Sequence, residues 1–514
     1  MSLAVKEILI ICLSIFILLI EEEKHLTILL LAAGLVLAGV AQCITSQEKL
    51  LQSTGWAFRK ERNSGIVIGA MLIPVSFLAA KRTLQDSTAI YQDYQIASLL
   101  LSIIMTSLVF SYNWTSSVFK RYVSNTLYAF CLLCVFIWEG KRIYFASLFV
   151  GCVYFEGLIH FMPHSFTIGE AMVVSQALSF LTLDGCYHVL LSLEMNPLYA
   201  CLQVLINGIL ILCICLAPVL MISKDVGKTK KSGKNLDTSP WSRKRTCVFY
   251  GVTVGVVSLI LFPMLSFLLG EFVIIWGFNF IFETKIRIWL IASWVVLVTV
   301  ATLIVYKTES SSTVVRKYFH LIAVAIYVPG VFLDLKLIYL ASAGALFIFL
   351  IIEIVRVFRV EPFGKIIHEA FSVFIDERDS GVVILTHIYL LLGFSLPVWL
   401  YDHVNPTSGL VLYSGVISLG VGDTAAAVIG SKYGKHRWSV ETVKTIEGTL
   451  AAIVTQLVAC YCLGSMINAS SYTWMAVTIV VVLTSLLEAF TSQIDNIVLP
   501  LFMASMFSAI QGVI

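Results

Sequence analysis

The residues best suited to chemistry lie between Gly420 and Thr449, in a polar stretch between two apolar segments. This stretch contains three blocks, which are Gly420–Thr424, Gly430–Trp438 and Lys444–Thr449. Glycines let a backbone approach a ligand closely and expose its N–H groups, and lysines neutralise phosphate charge. A carboxylate beside them can hold Mg²⁺, which usually binds one or two carboxylates together with substrate phosphates. These residue types indicate a site for a nucleoside triphosphate.

The same stretch has a simpler interpretation. It does not contain a Walker A loop, because the spacing from Gly430 to Lys435 is one residue too short and no Ser or Thr follows the lysine. Lysines at the edge of a membrane span often serve only as anchors in a cytoplasmic loop. Asp423 and Thr424 lie at the edge of an apolar run and are harder to explain as anchors, so the ligand site is favoured.

Two further carboxylates lie in the C-terminal apolar region. Glu488 is part of the long apolar run that starts at Trp474, and Asp495 is seven residues further on. On one continuous helix these carboxylates would share a face about two turns apart. A carboxylate within a membrane is energetically costly, so it indicates a functional site. The alternative is a buried hydrogen bond between neighbouring helices.

Two shorter charged motifs complete the candidates. Arg316 and His320 are one helical turn apart, with Lys317 between them, so both can face one site. Arg378 and Asp379 belong to an acidic stretch that precedes an apolar span. Both motifs have common alternatives, because basic residues often anchor helix ends, a lone histidine is usually a satisfied core residue and acidic loops are usually solvated.

A membrane bundle must position these groups. Of the 514 residues, 59% are hydrophobic and 13% are charged, whereas a soluble protein carries about a quarter charged residues. This composition excludes a disordered chain and a single soluble globule. The lack of a basic face outside one loop excludes nucleic-acid binding. Apolar segments of span length recur along the chain and predict an all-α, polytopic transmembrane helical bundle with roughly 13–17 spans.

One basic segment divides the chain and fixes its orientation. Residues 224–246 contain eight basic and two acidic side chains, and short loops rich in Lys and Arg stay in the cytoplasm. The segment separates an N-terminal membrane half, residues 1–223, from a C-terminal membrane domain, residues 247–514, that carries the loop 420–449. Counting spans forward from the segment places the charged motifs on or next to the cytoplasmic side.

At these residues the sequence resembles the dolichol kinase family, polytopic enzymes of the endoplasmic reticulum (ER) that phosphorylate dolichol with CTP. The motifs that carry the resemblance are Gly422-Asp423-Thr424, Gly430, Gly434, Trp438, Lys444-Thr445, Glu447-Gly448-Thr449, Asp376–Gly381 with Leu385–Tyr389, Glu488-Ala489, Gln493–Asn496 and Pro163–Glu170. CTP-dependent kinases of other lipid alcohols, such as phytol kinase and the fungal diacylglycerol kinase, share part of this pattern. The acidic stretch and the length favour the dolichol kinases.

The resemblance implies a reaction and a set of roles. CTP and dolichol would give CDP and dolichyl phosphate at the cytosolic face of the ER membrane, which supplies the lipid carrier for protein glycosylation. The expected catalytic carboxylates are Asp423, Asp495 and Glu488, and the expected ligands of Mg²⁺ are Asp423, Glu447 and Asp495. The residues expected to bind CTP are Gly422, Thr424, Gly430, Lys432, Gly434, Lys435, Trp438, Lys444, Thr445, Glu447 and Gly448. Expected contacts to phosphate or substrate are Arg316, Lys317, His320, Arg378 and Asp379.

Several of these residues have specific expected roles. Lys432, Lys435 and Lys444 would neutralise the triphosphate, while Gly430 and Gly434 would admit it through backbone N–H groups. Asp423 or Asp495 would orient or deprotonate the dolichol hydroxyl. Trp438 would either stack on the base or anchor the chain at the membrane interface. The N-terminal half would either cradle the isoprenoid or serve as a scaffold.

Other functions remain open on the sequence alone. One is a kinase for a different lipid alcohol, and another is a CDP-lipid synthase that transfers the cytidylyl group instead of the γ-phosphoryl group. A transporter or scramblase would use Glu488 and Asp495 as proton or ion sites. That third alternative leaves the charged loop without a role. Neither an oligomeric state nor an isoprenoid length can be read from the sequence.

Overall fold

The computed structural model is an all-α protein. It describes residues 3–19, 25–61, 63–83, 88–114, 142–190, 195–231, 243–307, 313–372, 381–401, 409–440, 442–466 and 473–510. Within these ranges most residues are helical and no strand occurs, apart from an isolated bridge between Arg437 and Thr445. Long apolar runs form helices because a helix satisfies every backbone hydrogen bond internally where water is absent. The predicted all-α class is confirmed.

The helices follow the apolar segments of the sequence. Those before residue 240 are α1 (Leu3–Leu19), α2 (His25–Ile44), α3 (Gln47–Thr54), α4 (Ile66–Thr83), α5 (Thr88–Trp114), α6 (Arg142–Phe161), α7 (Ile168–Leu190) and α8 (Pro197–Lys231). The next group is α9 (Arg243–Val256), a π-helical turn (Val257–Leu261), α10 (Phe262–Leu269), α11 (Val273–Phe282), α12 (Lys285–Lys307), α13 (Thr313–Leu333), α14 (Leu335–Phe358) and α15 (Gly364–Ser372). The C-terminal group is α16 (Thr386–Leu400), a 3₁₀ turn (Leu410–Tyr413), a π-helix (Val416–Asp423), α17 (Thr424–Tyr433), α18 (Ile446–Met466), α19 (Trp474–Phe490) and α20 (Asp495–Ile510).

Many of these helices are apolar along most of their length. In the described ranges, six helices are long and apolar enough to cross it, and six shorter apolar helices accompany them. A further candidate span is a bent pair, α11 and α12, whose axes differ by 96°. The protein is therefore a polytopic membrane protein.

The basic segment differs from its prediction. It was predicted as a loop that begins at Lys224, but α8 continues to Lys231 and α9 already begins at Arg243. Lysine and arginine are good helix formers, so a run of positive charge does not by itself end a helix. Residues 232–242 lie outside the described ranges.

The chain forms two compact units. Unit 1 comprises residues 1–183, 312–335 and 378–514, and unit 2 comprises residues 184–311 and 336–377. In unit 2, α8 packs with α9, α10 and α14 through buried apolar side chains such as Leu212, Phe249 and Val355. Unit 1 contains all the candidate residues, and it combines segments from both sides of residues 224–246.

Helix α20 lies at the centre of unit 1. All of its residues except Asn496 are buried. Its serines bind the N-terminal helix α4, because the hydroxyls of Ser505 and Ser76 are 3.1 Å apart and Ser508 Oγ donates to Ala79 O over 2.8 Å. The first residue of this buried helix is Asp495, so the helix carries one of the predicted carboxylates at its N-terminus.

Candidate active site

Asp423 lies at the end of the π-helix and faces helix α13. Its carboxylate pairs with the ammonium of Lys317, and its Oδ2 is 3.4 Å from His320 Nε2. Asp423 and His320 are both nearly inaccessible, at 5% and 6% exposure. The wide π-helical turn is not readable from the sequence, and such turns are frequent at functional sites. Lys317 and His320 therefore face one site and share Asp423 as their partner, whereas the side chain of Arg316, which was predicted to face a site with His320, lies outside the described part of the chain.

Lys444 joins the other two predicted carboxylates. Its Nζ is 2.9 Å from Glu488 Oε1 and 3.2 Å from Asp495 Oδ2. Glu488 is 4% exposed and Asp495 is 9% exposed. Two like charges buried this close repel each other unless a cation lies between them. Lys444 supplies that cation.

The two groups act on each other electrostatically. Lys444 is close enough to Asp423 for each charge to stabilise the other. Burial alone would lower the pKa of Lys444, but the carboxylates of Asp495, Glu488 and Asp423 outweigh it and raise the pKa above its ordinary value. Lys444 is therefore a permanent cation at neutral pH. We call Lys317, His320, Asp423, Lys444, Glu488 and Asp495 the ionic cluster.

A short non-helical connection between two helices brings Glu488 and Asp495 together. On one continuous helix they would share a face, but α19 ends at Phe490 and α20 begins at Asp495. Thr491 to Ile494 form a short connection, which we call the 491–494 turn. Thr491 N still donates to Leu487 O over 2.8 Å, and Ile497 N donates to Ile494 O over 3.4 Å. The two carboxylates therefore do not lie on one continuous helix, and the turn, not helical spacing, sets the distance between them.

The glycines of the predicted nucleotide loop pack against protein. Gly422 lies against the side chain of Gln456, whose Nε2 donates to Ser485 Oγ over 3.1 Å. Gly430 and Gly448 approach each other closely between α17 and α18, beside the hydroxyl of Thr445. The N–H of Gly434 already donates to Gly430 O over 3.1 Å. Helix packing thus accounts for these glycines in this structure, and the N–H of Gly434 is not directed at a ligand.

Residues 434–446 form a tight loop that presents Lys444. Trp438 N donates to Lys444 O over 3.3 Å, and Ile446 N donates to His436 O over 2.8 Å. Thr445 Oγ1 then accepts from Gly448 N over 3.2 Å, which is the N-capping interaction that starts α18. These bonds fix the backbone on both sides of Lys444. Thr424 lies at the start of α17, where its Oγ1 donates to Leu419 O over 3.3 Å.

Glu447 holds this loop. Its carboxylate accepts from the backbone N of His436 at 3.2 Å and lies 2.7 Å from His436 Nδ1. His436 is 75% exposed and Glu447 28% exposed, so this pair is at the protein surface. The contacts shown for Glu447 are therefore different from those of Asp423 and Asp495, with which it was grouped as a metal ligand.

If the ionic cluster binds Mg²⁺ together with a phosphorylated substrate, we expect Glu447→Gln to leave the requirement for Mg²⁺ unchanged. A surface ion pair contributes about 0–1 kcal/mol, so activity should fall by no more than about five-fold. Titration of Mg²⁺ in a phosphoryl-transfer assay measures this. A large rise in the Mg²⁺ concentration needed for half-maximal activity would instead establish Glu447 as a metal ligand.

The remaining predicted residues lie in different surroundings. The ring of Trp438 packs edge-on against Phe490, with 5.1 Å between centroids, and its Nε1 donates to Thr449 Oγ1 over 2.9 Å. These two contacts hold the Trp438 ring against α18 and α19. Lys432 and Lys435 are exposed on the surface. The side chain of Arg316, and the whole of Arg378 and Asp379, lie outside the described part of the chain.

One contributor was missed by the sequence analysis. Gln456 lies in the apolar helix α18, is 1% exposed and packs against Gly422, next to Asp423. A polar side chain inside an apolar span is itself a signal of function or helix pairing. That signal was present in the sequence and was not used.

The donor set of the ionic cluster suits Mg²⁺ only together with a substrate. Within the described residues, no group of three or more histidine, cysteine or acidic side chains forms a metal site by itself. Magnesium, however, needs only one or two carboxylates when substrate phosphates complete its shell. Asp423 and Asp495 are buried hard oxygen donors and fit that requirement.

The fold and the site together define a class. This is a polytopic membrane protein with carboxylates and ammonium groups assembled in one buried cluster, which is the chemistry that phosphoryl transfer requires. The family model for dolichol kinase matches residues 46–465. Dolichol kinases from Bos taurus and Mus musculus are both 32% identical to the chain, over 90% of the chain and 89% of each relative. The dolichol kinase sec59 of Schizosaccharomyces pombe is 31% identical over 52% of the chain and 56% of its own length.

The chain belongs to the dolichol kinase family. No solved structure matches it. The family resemblance inferred from the sequence motifs is confirmed.

Proposed function

We propose that this protein transfers the γ-phosphoryl group of CTP to the hydroxyl of dolichol at the cytosolic face of the ER membrane. The product, dolichyl phosphate, would be the lipid carrier for protein glycosylation. Family membership supports the acceptor and the reaction class. The observation that carries the proposal is the ionic cluster, in which three buried carboxylates are held by Lys317 and Lys444.

The residues of the ionic cluster would have different roles in the reaction. One of Asp423 or Asp495 orients the dolichol hydroxyl and accepts its proton as the oxygen bonds to the γ-phosphorus. The bond from that phosphorus to the β,γ-bridging oxygen breaks, and CDP leaves. Lys444 and Lys317 stabilise the negative charge on the phosphoryl oxygens, and phosphoryl transfer depends chiefly on such positioning and charge stabilisation.

Magnesium would bind to two of the carboxylates in the ionic cluster. Asp423 and Asp495 would hold it, and when bound it supplies positive charge to the triphosphate. The exposed Lys432 and Lys435 would guide CTP towards the cluster by long-range attraction.

The cytosolic orientation rests on the distribution of basic residues. The loop 430–445 and the segment 224–246 are rich in Lys and Arg, and such loops remain in the cytoplasm. A polyisoprenoid carries its hydroxyl at the membrane interface, where the ionic cluster would meet it. CTP is a cytosolic metabolite, so this orientation gives both substrates access.

The test is a donor comparison with purified protein in detergent. Protein, Mg²⁺ and dolichol are incubated with CTP labelled at the γ-phosphate and, separately, with ATP labelled in the same way. We expect label in the lipid fraction from CTP alone. Label from ATP alone would overturn the donor assignment, and label in lipid from α-labelled CTP would show a cytidylyltransferase instead. Phytol and diacylglycerol replace dolichol in parallel samples, and preferential labelling of either would overturn the acceptor.

A further inference from the structure

A second buried polar cluster in unit 1 has no role in the proposed reaction. Arg59 and Glu170 form an ion pair of 2.5 Å, although they are only 3% and 7% exposed. Arg59 also donates to Ser165 O over 3.3 Å. Both residues come from the N-terminal part of the chain, for which the sequence left open a lipid cradle or a scaffold. A buried ion pair is costly to desolvate, so its contacts indicate what it is for.

Glu170 extends to the 491–494 turn. Its Oε1 accepts from the backbone N of Ile494 over 3.1 Å, and its Oε2 accepts from Thr167 N over the same distance. Ile494 immediately precedes Asp495 of the ionic cluster. The ion pair thus fixes the backbone at the residue next to a proposed catalytic carboxylate, from more than 320 positions away in the sequence.

Gln493 makes the next connection. Its Oε1 accepts from Thr167 Oγ1 over 2.5 Å, and its Nε2 donates to Asn63 O over 3.1 Å. Its side chain lies directly over Gly65, which has φ +69°, and a Cβ at Gly65 would overlap the Gln493 amide. Gly65 is therefore required both by its own backbone conformation and by the space that Gln493 takes.

The other end of the turn is held by α1. Glu7 lies beside Thr491 and pairs with Asn63, and Lys6 Nζ is 4.9 Å from the centre of the Phe490 ring. The turn therefore contacts residues of α1, the segment 59–65 and the segment 165–170. All of these contacts lie within unit 1.

The turn needs external support for a physical reason. It separates Glu488 from Asp495, and both carboxylates must stay within reach of Lys444 although they repel each other. Four non-helical residues offer few hydrogen bonds of their own to resist that repulsion. A displacement of about 1 Å at a catalytic group can cost about 100-fold in rate. Support for the turn is thus support for the reaction geometry.

We propose that Arg59, Glu170 and Gln493 are positioning residues that clamp the 491–494 turn and so set the separation of Glu488 and Asp495. The clamp gives the N-terminal part of the chain a role in catalysis without contact with substrate. This inference rests on the proposed function for its effect on the rate. Its structural part, the fixing of the turn, does not depend on that function.

The test compares two matched variants of buried glutamines. Gln493→Met keeps the side-chain volume and removes both hydrogen bonds of the clamp. Gln176→Met is the control, because Gln176 is 0% exposed, donates to Gly69 O over 2.8 Å and accepts from Ser102 Oγ over 3.1 Å, and neither bond reaches the 491–494 turn. Both variants lose two buried hydrogen bonds in unit 1, so both should lose thermal stability to a similar extent.

The two variants should differ in rate and in local exchange. We expect Gln493→Met to lower kcat by about 100-fold with the KM values for CTP and dolichol unchanged. Hydrogen–deuterium exchange in peptides covering residues 490–497 should accelerate in Gln493→Met alone. Equal losses of kcat in both variants, or normal kcat and normal exchange in Gln493→Met, would overturn the clamp.

The exchange measurement separates the two proposals. If the wild-type protein transfers no phosphate from CTP to dolichol, the proposed function fails. Faster exchange at residues 490–497 in Gln493→Met would then still support a clamped turn, and unchanged exchange would reject it.

Discussion

Replacing Asp423 with Asn is expected to lower phosphoryl transfer by about 1,000-fold or more while the protein still folds. Asp423 is the carboxylate that pairs with Lys317 and approaches His320, and Asn preserves its shape but carries no charge. Loss of one group that stabilises the charge developing in the transition state commonly lowers kcat by about 100- to 1,000-fold. Loss of a general base and metal ligand together should cost at least as much.

The control for this substitution is Asp334→Asn. Asp334 follows α13, the helix that carries Lys317, and lies seventeen positions further along the chain. With a rise of 1.5 Å per residue, that separation is about 25 Å. Asp334→Asn should therefore retain wild-type turnover. Normal activity in a folded sample of Asp423→Asn would show that Asp423 is not a catalytic residue.

Replacing Lys444 with Met is expected both to abolish turnover and to destabilise unit 1. Without the ammonium, Glu488 and Asp495 are left buried and facing each other. Removing one partner of a buried ion pair costs about 3–5 kcal/mol because the remaining charge has no compensation. The thermal midpoint of the purified variant should drop well below that of the wild type.

Two comparisons test whether the loss of stability comes from repulsion between Glu488 and Asp495 or from the loss of any lysine. Lys365 is 85% exposed and 3.9 Å from Glu369, so Lys365→Met should change stability by less than about 1 kcal/mol. The double variant Lys444→Met with Glu488→Gln removes one of the two opposed carboxylates. It should be more stable than Lys444→Met alone and equally inactive. A double variant no more stable than the single one would contradict the account of charge repulsion.

The sequence predicted the helices better than it predicted the contacts between the charged residues of the ionic cluster. Glu488 and Asp495 were recognisable because carboxylates in apolar runs are costly. Their shared partner Lys444 was not, because it lies 44 and 51 positions away and the contact depends on tertiary packing. The π-helix before Asp423 has no sequence signature that periodicity can detect.

The glycines illustrate a different difficulty. A glycine that admits a phosphate and a glycine that admits a neighbouring helix look the same in a sequence, since both lack a Cβ. In the structure Gly422 admits Gln456, and Gly430 and Gly448 admit each other. Glu447 was similarly grouped with Asp423 by residue type, whereas its observed partner is His436. The roles of Arg378 and Asp379 stay predictions.

The most direct test of the central claim is transfer of the γ-phosphate from labelled CTP to dolichol by wild-type protein and Asp423→Asn measured side by side. The account predicts rapid appearance of labelled dolichyl phosphate with the wild type and essentially none with the variant, at equal amounts of folded protein. Equal transfer by both proteins would contradict the assignment of the ionic cluster as the catalytic centre.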